Sequence, residues 1–201
     1  MNQRSEYKTQ GTIQRQGLGQ LLHRLRGLCD RAADGGTRFR EHEMFFKISG
    51  SISGSTPAPV SCRIRRSLNN ERAPWHLRYY GPADTAIKSP IILVRNCIEL
   101  TTTDALPQFL QEMGFVLQQE CVFEGWLFLK GPFKVCVFSI SKMPVRSDTT
   151  NTEEIPAMIV DVTATAVAGV EQDAVVHEMN SLAEHLKPLV MLKKPDPALP
   201  L

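Results

Sequence analysis

The feature that most restricts this chain is an apolar–polar alternation of period two, repeated in segments between residues 41 and 100. In "EHEMFFKIS", Met44, Phe46 and Ile48 share one face, and Glu41, Glu43, Phe45 and Lys47 share the other. In "SCRIRRSL", Cys62, Ile64 and Leu68 oppose Arg63 and Arg65. In "WHLRYY", Trp75, Leu77 and Tyr79 oppose His76, Arg78 and Tyr80. In "IILVRNCIEL", Ile92, Val94, Ile98 and Leu100 oppose a face holding Arg95 and Glu99. Successive strand residues point to opposite faces of a sheet, so these segments predict antiparallel strands with one buried and one polar face.

The remaining segments extend that pattern. "FVLQQECVFEGWLFLKGPFKVCVFSISK" reads as strands turning at Glu124-Gly125 and again at Gly131-Pro132. "AMIVDVTATAV" is a further strand, and Glu6 to Ile13 a weaker one, its apolar character diluted by Lys8 and Thr9. Three segments change period. Leu18, Leu21, Leu22, Leu25, Leu28 and Cys29 recur at three- and four-residue steps, a helix ended by Asp34-Gly35-Gly36. A short helix is expected from Asp104 to Met113, capped by Thr103 or Asp104 and stopped by Gly114. The last helix runs from about Gln172 to Leu186, ahead of Pro188.

Strands outnumber helices and lack the β-α-β rhythm of a parallel sheet. The expected fold is therefore α+β, mainly β: a multi-stranded antiparallel sheet rolled toward a barrel and flanked by two or three helices. No internal repeat or composition break divides it, so residues 1–201 are expected to form a single domain. The first ~5 residues and the tail 193–201 are expected to be flexible, with mobile loops near 49–60 and 145–156.

Composition removes several classes. At 42% hydrophobic the chain is too apolar for disorder along its whole length. Apolar runs such as "IILV" fall far short of the ~20 residues of a membrane-spanning helix. Lys and Arg number 23 against 21 Asp and Glu, too even a balance to favour nucleic-acid binding by counterion release. Five cysteines, an odd count with no CxxC pair and apolar flanks, read as reduced packing residues, and no secretory signal opens the chain.

Catalytic motifs are near misses. "HEMFF" has Phe46 where a zinc-protease motif needs its second His, and "HEMN" at 177–180 is followed by Ser181. One constellation stands out. Glu41, Glu43, Arg63, Arg65, Arg78, Arg95 and Asp161 all fall on polar strand faces. Enclosed in a barrel, such arginines would hold phosphate oxygens and such carboxylates a divalent metal, as in a triphosphate-tunnel phosphohydrolase or a phosphate-binding relic of one. Against this, the later strands lack a second close carboxylate pair, and Phe45 stands where the tunnel enzymes' ExExK pattern carries lysine. The plainer reading is a solvated face or an internal ion-pair network without a ligand, and the sequence favours it. No cofactor is expected.

Five blocks carry a family resemblance: "LLHRLRGLCD", "APWHLRY", "LVRNCIEL", "FLQEMGF" and "LKPLVMLKKPDP". In that order, from about Glu6 to Pro197, the chain resembles animal Mediator subunit 18. The resemblance implies a triphosphate-tunnel-like β-barrel flanked by helices and a non-catalytic nuclear role in transcriptional coactivation. It implies a place in the Mediator head module, beside subunit 20 and tethered by the C-terminal segment of subunit 8, with RNA polymerase II machinery reached through other Mediator subunits. Membrane and direct nucleic-acid contacts are not implied. Trp75 and Tyr79 are the candidate partner-facing aromatics, with core packing as their other reading.

Overall fold

The alternating segments close on themselves. The computed structural model describes residues 4–30, 35–48, 60–142, 157–167 and 172–196. Its strands are β1 (Arg4–Gln14), β2 (Thr37–Ile48), β3 (Val60–Ser67), β4 (Trp75–Ala83), β5 (Leu93–Thr102), β6 (Val116–Lys130), β7 (Phe133–Lys142) and β8 (Ala157–Val167). Three α-helices accompany them: α1 (Leu18–Leu28), α2 (Leu106–Glu112) and α3 (Gln172–Leu186). The strands form a closed antiparallel barrel in the order β1-β5-β4-β3-β2-β6-β7-β8. The weakly apolar first strand closes it, pairing with β5 on one side and β8 on the other.

Closure inverts the usual sense of the alternation. The polar faces turn inward and the apolar faces outward, where helices cover much of them. The largest core lies outside the barrel wall: Tyr7, Val135, Val137, Val160 and Val162 pack with Leu21 and Leu25 of α1 and Met179, Leu182 and Leu186 of α3. A second core forms where α2 spans from β5 to β6, its Leu106 and Leu110 packing on Phe46, Ile64 and Trp75. A small apolar plug of Cys121, Phe123, Phe138 and Ile140 completes the set.

Several local expectations need correction. No turn occurs at Glu124-Gly125, because β6 runs unbroken through both. Gly125 is there for close approach: a Cβ on it would stand 2.0 Å from the Val137 carbonyl oxygen and 2.6 Å from Phe138 Cα. The first helix ends at Leu28 rather than at Gly35, since the Asp30 amide bonds the Leu129 carbonyl and its carboxylate accepts from the Gly131 amide. At α2 neither Thr103 nor Asp104 caps by side chain, and Gly114 stops the helix at φ 88°. Arg4 and Ser5 belong to β1, and Lys193 exchanges two backbone hydrogen bonds with Gln10, so both ends are held further out than expected. The expected mobile loops lie almost wholly outside the described residues.

Candidate functional site

The period-two register sends Glu6, Lys8, Glu41, Glu43, Arg63, Arg65, Arg78, Tyr80 and Asp161 into one lumen, around a cavity of about 160 Å³. Six of the seven residues singled out in the sequence line that cavity. The seventh, Arg95, is 7% exposed and stands in the wall, its guanidinium carbon 4.2 Å from the Tyr80 ring centroid. Glu6, Lys8 and Tyr80 were not among the candidates. Their signal was present, since Glu6, Lys8 and Gln10 alternate with apolar or small neighbours, but two charges in a first strand read as weakness rather than as a face.

The lumen neutralises itself in pairs. Lys8 Nζ lies 3.1 Å from an Asp161 carboxylate oxygen, Arg65 3.1 Å from Glu41, Arg63 3.7 Å from Glu43 and Arg78 3.4 Å from Glu6. Arg78 also donates to Glu99 at 2.6 Å, toward the exposed end of the strand. Burial alone would lower the Arg78 and Arg65 pKa values, but Tyr80 with Glu6 and Glu99 outweigh it at Arg78, and Glu41 with Glu43 and Tyr80 outweigh it at Arg65, so both are raised. For Arg95 burial prevails and its pKa is lowered. Burial, followed by Glu6, pushes the Tyr80 phenol up to about 12, so Tyr80 stays neutral and donates.

This donor set does not fit a divalent metal. Each lumen carboxylate is already engaged by a cation, and among the described residues no three acidic, histidine or cysteine side chains converge. Among the described residues the lumen is an internal ion-pair network.

The two aromatic candidates part company on the outside. Trp75 is 2% exposed beneath α2, with the Arg66 guanidinium carbon 4.7 Å from its ring centroid. Tyr79 is 38% exposed. Across β4 and β5, Leu77 faces Leu100 and Tyr79 faces Ile98, and Tyr79, Ile98 and Leu100 stay uncovered.

Barrel, flanking helices and paired lumen together define a helix-flanked, closed antiparallel β-barrel whose polar interior is an ion-pair network. The family model described as "Med18 protein" matches residues 5–199. The Xenopus tropicalis "Mediator of RNA polymerase II transcription subunit 18" is 42% identical over 193 residues, 96% of this chain and 89% of the relative. In three dimensions the chain is similar to one in the structure of the Schizosaccharomyces pombe Mediator head module, with TM-score 0.71, 13% identity and coverage of 95% and 98%. It is also similar to a Pyrococcus horikoshii protein, with TM-score 0.62, 14% identity and coverage of 95% and 94%. The chain belongs to the Med18 family.

Proposed function

We propose that this chain is a non-catalytic subunit of the Mediator head module, working in the nucleus as part of the coactivator that bridges gene-specific activators and RNA polymerase II. In this reading it pairs with Mediator subunit 20 and is tethered by the C-terminal segment of subunit 8. It reaches polymerase through the assembly and touches neither nucleic acid nor membrane directly.

The observation that carries the reading is the family match over residues 5–199, nearly the whole barrel and its helices. Two features support it. Glu6, Glu41, Glu43 and Asp161 in the lumen each carry an ion pair with an arginine or lysine, as an internal charge network does. The outer row of Tyr79, Ile98 and Leu100 offers apolar surface that a partner subunit would gain by covering.

Light scattering tests it. The chain is measured alone, then with subunit 20 and the C-terminal segment of subunit 8. A stable 1:1:1 species is expected. A well-behaved monomer that ignores both partners would overturn the assignment.

A further inference from the structure

We propose that the open edge of β5, from Ile98 to Thr102, pairs antiparallel with the same edge of a second copy of this chain, centred on Leu100, to form a weak two-fold dimer. The proposal needs no other subunit, so it stands apart from the Mediator assignment.

Closure of the barrel covers only part of β5. On one side β4 pairs with it as far as Thr102, but on the other β1 leaves it at Cys97, opposite Arg4. Among the described residues no strand lies beside Ile98–Thr102 on the β1 side. The stretch is open on its faces as well. Ile98 and Leu100 point outward and are 47% and 44% exposed, and Glu99 and Thr101 are exposed beside them. An edge with unpaired backbone groups and apolar side chains is a template for another strand.

The backbone direction decides which groups that edge offers. The Asp84 amide, just past β4, bonds the Val94 carbonyl, so Val94 directs its peptide oxygen to the β4 side. Peptide groups alternate along an antiparallel strand, which turns the amides and carbonyls of Glu99 and Thr101 to the open side. A helix laid there would leave them unpaired, whereas a strand pairs them.

Register and charge then select a second copy as the occupant. Centred on Leu100, Glu99 faces the second copy's Thr101, and Thr101 faces the second copy's Glu99. These are the residues whose backbone groups point outward, so two reciprocal hydrogen-bonded pairs form. Leu100 meets its own counterpart at the close, non-hydrogen-bonded position, and Ile98 meets Thr102. Leu77 faces Leu100 within each chain, so an apolar row runs unbroken across the two-fold axis. Other registers are worse. Centring on Glu99 would oppose two carboxylates, centring on Ile98 would collide with β1 at Cys97, and centring on Thr101 would leave Ile98 without a partner. Glu99 enters the pair with its charge already met by Arg78 at 2.6 Å. A single short strand a side falls well below the roughly 20–30 residues of a standard interface, so the dimer is weak.

Light scattering of the full-length chain from about 5 μM to about 500 μM should show a mass rising from one chain toward two. Hydrogen exchange should find the Glu99 and Thr101 amides fast in the dilute chain and protected in the concentrated one, a readout that needs no variant to fold. Protection already complete in the dilute chain would give the edge to residues 1–3 of the same chain and refute the dimer. Leu100→Lys sets two ammonium groups against each other at the two-fold axis and should weaken association roughly tenfold or more. Leu100→Glu should do the same with two carboxylates. Mixed in equal amounts, the two variants should associate more tightly than either alone, because the axis then joins opposite charges. Phe109→Lys, on the exposed side of α2, should associate as the unaltered chain does. A chain that stays single throughout, undiminished association of folded Leu100→Lys, no recovery on mixing, or loss of association in Phe109→Lys would overturn the proposal.

Discussion

Arg63 and Arg78 stand directly opposite one another on β3 and β4, and both side chains enter the lumen. Like charges in this cross-strand position destabilise a sheet, and enclosure in a barrel reduces the screening that water would give. The barrel offsets the repulsion locally. Glu43 serves Arg63, Glu6 serves Arg78, and the Tyr80 ring lies beside both. The lumen is thus an electrostatic arrangement whose members depend on each other.

Removing one counter-charge should therefore cost more than removing a whole pair. Glu43→Gln leaves Arg63 facing Arg78 without the Glu43 counter-charge, and a loss of about 3–5 kcal/mol is expected. Replacing the pair together, as Glu43→Leu with Arg63→Leu, should lie much nearer the parent stability. Urea unfolding of the parent, both singles and the double closes the cycle. A double variant as unstable as the sum of the two singles would refute this coupling.

Gly125→Ala should be among the most damaging single-methyl changes in the molecule. Its added carbon would meet backbone atoms of β7 at 2.0 Å and 2.6 Å, which cannot move without parting β6 from β7. A loss at or above the roughly 1–3 kcal/mol of ordinary overpacking is expected. Gly19→Ala in α1 is the internal contrast. Its Cβ would meet nothing within 4 Å, and a gain of about 0.4–1 kcal/mol is expected. Denaturation midpoints of the two variants should move in opposite directions.

Those two glycines also show what the sequence could and could not disclose. The alternation in β3, β4 and β5 was legible because a period of two survives any packing. Which face turns inward was not, because a strand's two faces look alike until the sheet closes. Ile64 and Trp75 read as a buried face and are buried, but under α2 on the outside of the wall. Arg65 and Arg78 read as a polar face and became the interior. Lys8 looks like a flaw in β1 on sequence alone, because its partner, Asp161, is 153 residues away and only closure unites them. Gly125 carries no sequence sign of its role, because a strand glycine serves equally for a bend or for close approach and only the neighbouring strand decides.

The cysteines should be slow nucleophiles in the folded chain. Burial pushes the Cys62 and Cys97 thiols up to about 11 and Cys136 to about 12. Since the thiolate is the reactive form, an aromatic disulfide reagent at mildly alkaline pH should label these three slowly in native buffer. All five should react at once in denaturant. Fast native labelling at Cys136 would mean that the lumen opens readily.

Acid should weaken the rim of the lumen through Glu99. Burial alone would raise its pKa, but attraction and a hydrogen bond from Arg78 outweigh burial, and it falls below the ordinary 4.5. A carboxylate whose folded pKa is depressed adds stability that is full above its unfolded value and is lost as pH falls through the folded one. Stability should therefore decline below about pH 4.5, and Glu99→Gln should flatten part of that decline. With Glu99 partly exposed the effect is modest, and it is read as the difference in slope between two series of urea midpoints. Parallel slopes would remove Glu99 from the acid response.

The uncovered outer row gives the most direct test of partnership. Tyr79 and Ile98 face each other across β4 and β5 and are 38% and 47% exposed. Polar replacements there cost the isolated chain only a cross-strand pair and some strand propensity, so Tyr79→Ser and Ile98→Ser should each lower its stability by no more than about 1 kcal/mol. If a partner subunit covers this row, the same changes remove apolar area from the interface, and the double variant should assemble at least roughly tenfold more weakly with subunit 20 and the subunit 8 segment. Trp75→Phe is the control: it sits beneath α2, so it should lower the chain's own stability and leave assembly of the folded fraction unchanged. Light scattering beside urea unfolding separates the two effects. Intact assembly by a folded Tyr79→Ser, Ile98→Ser chain would move the partner surface elsewhere on the barrel.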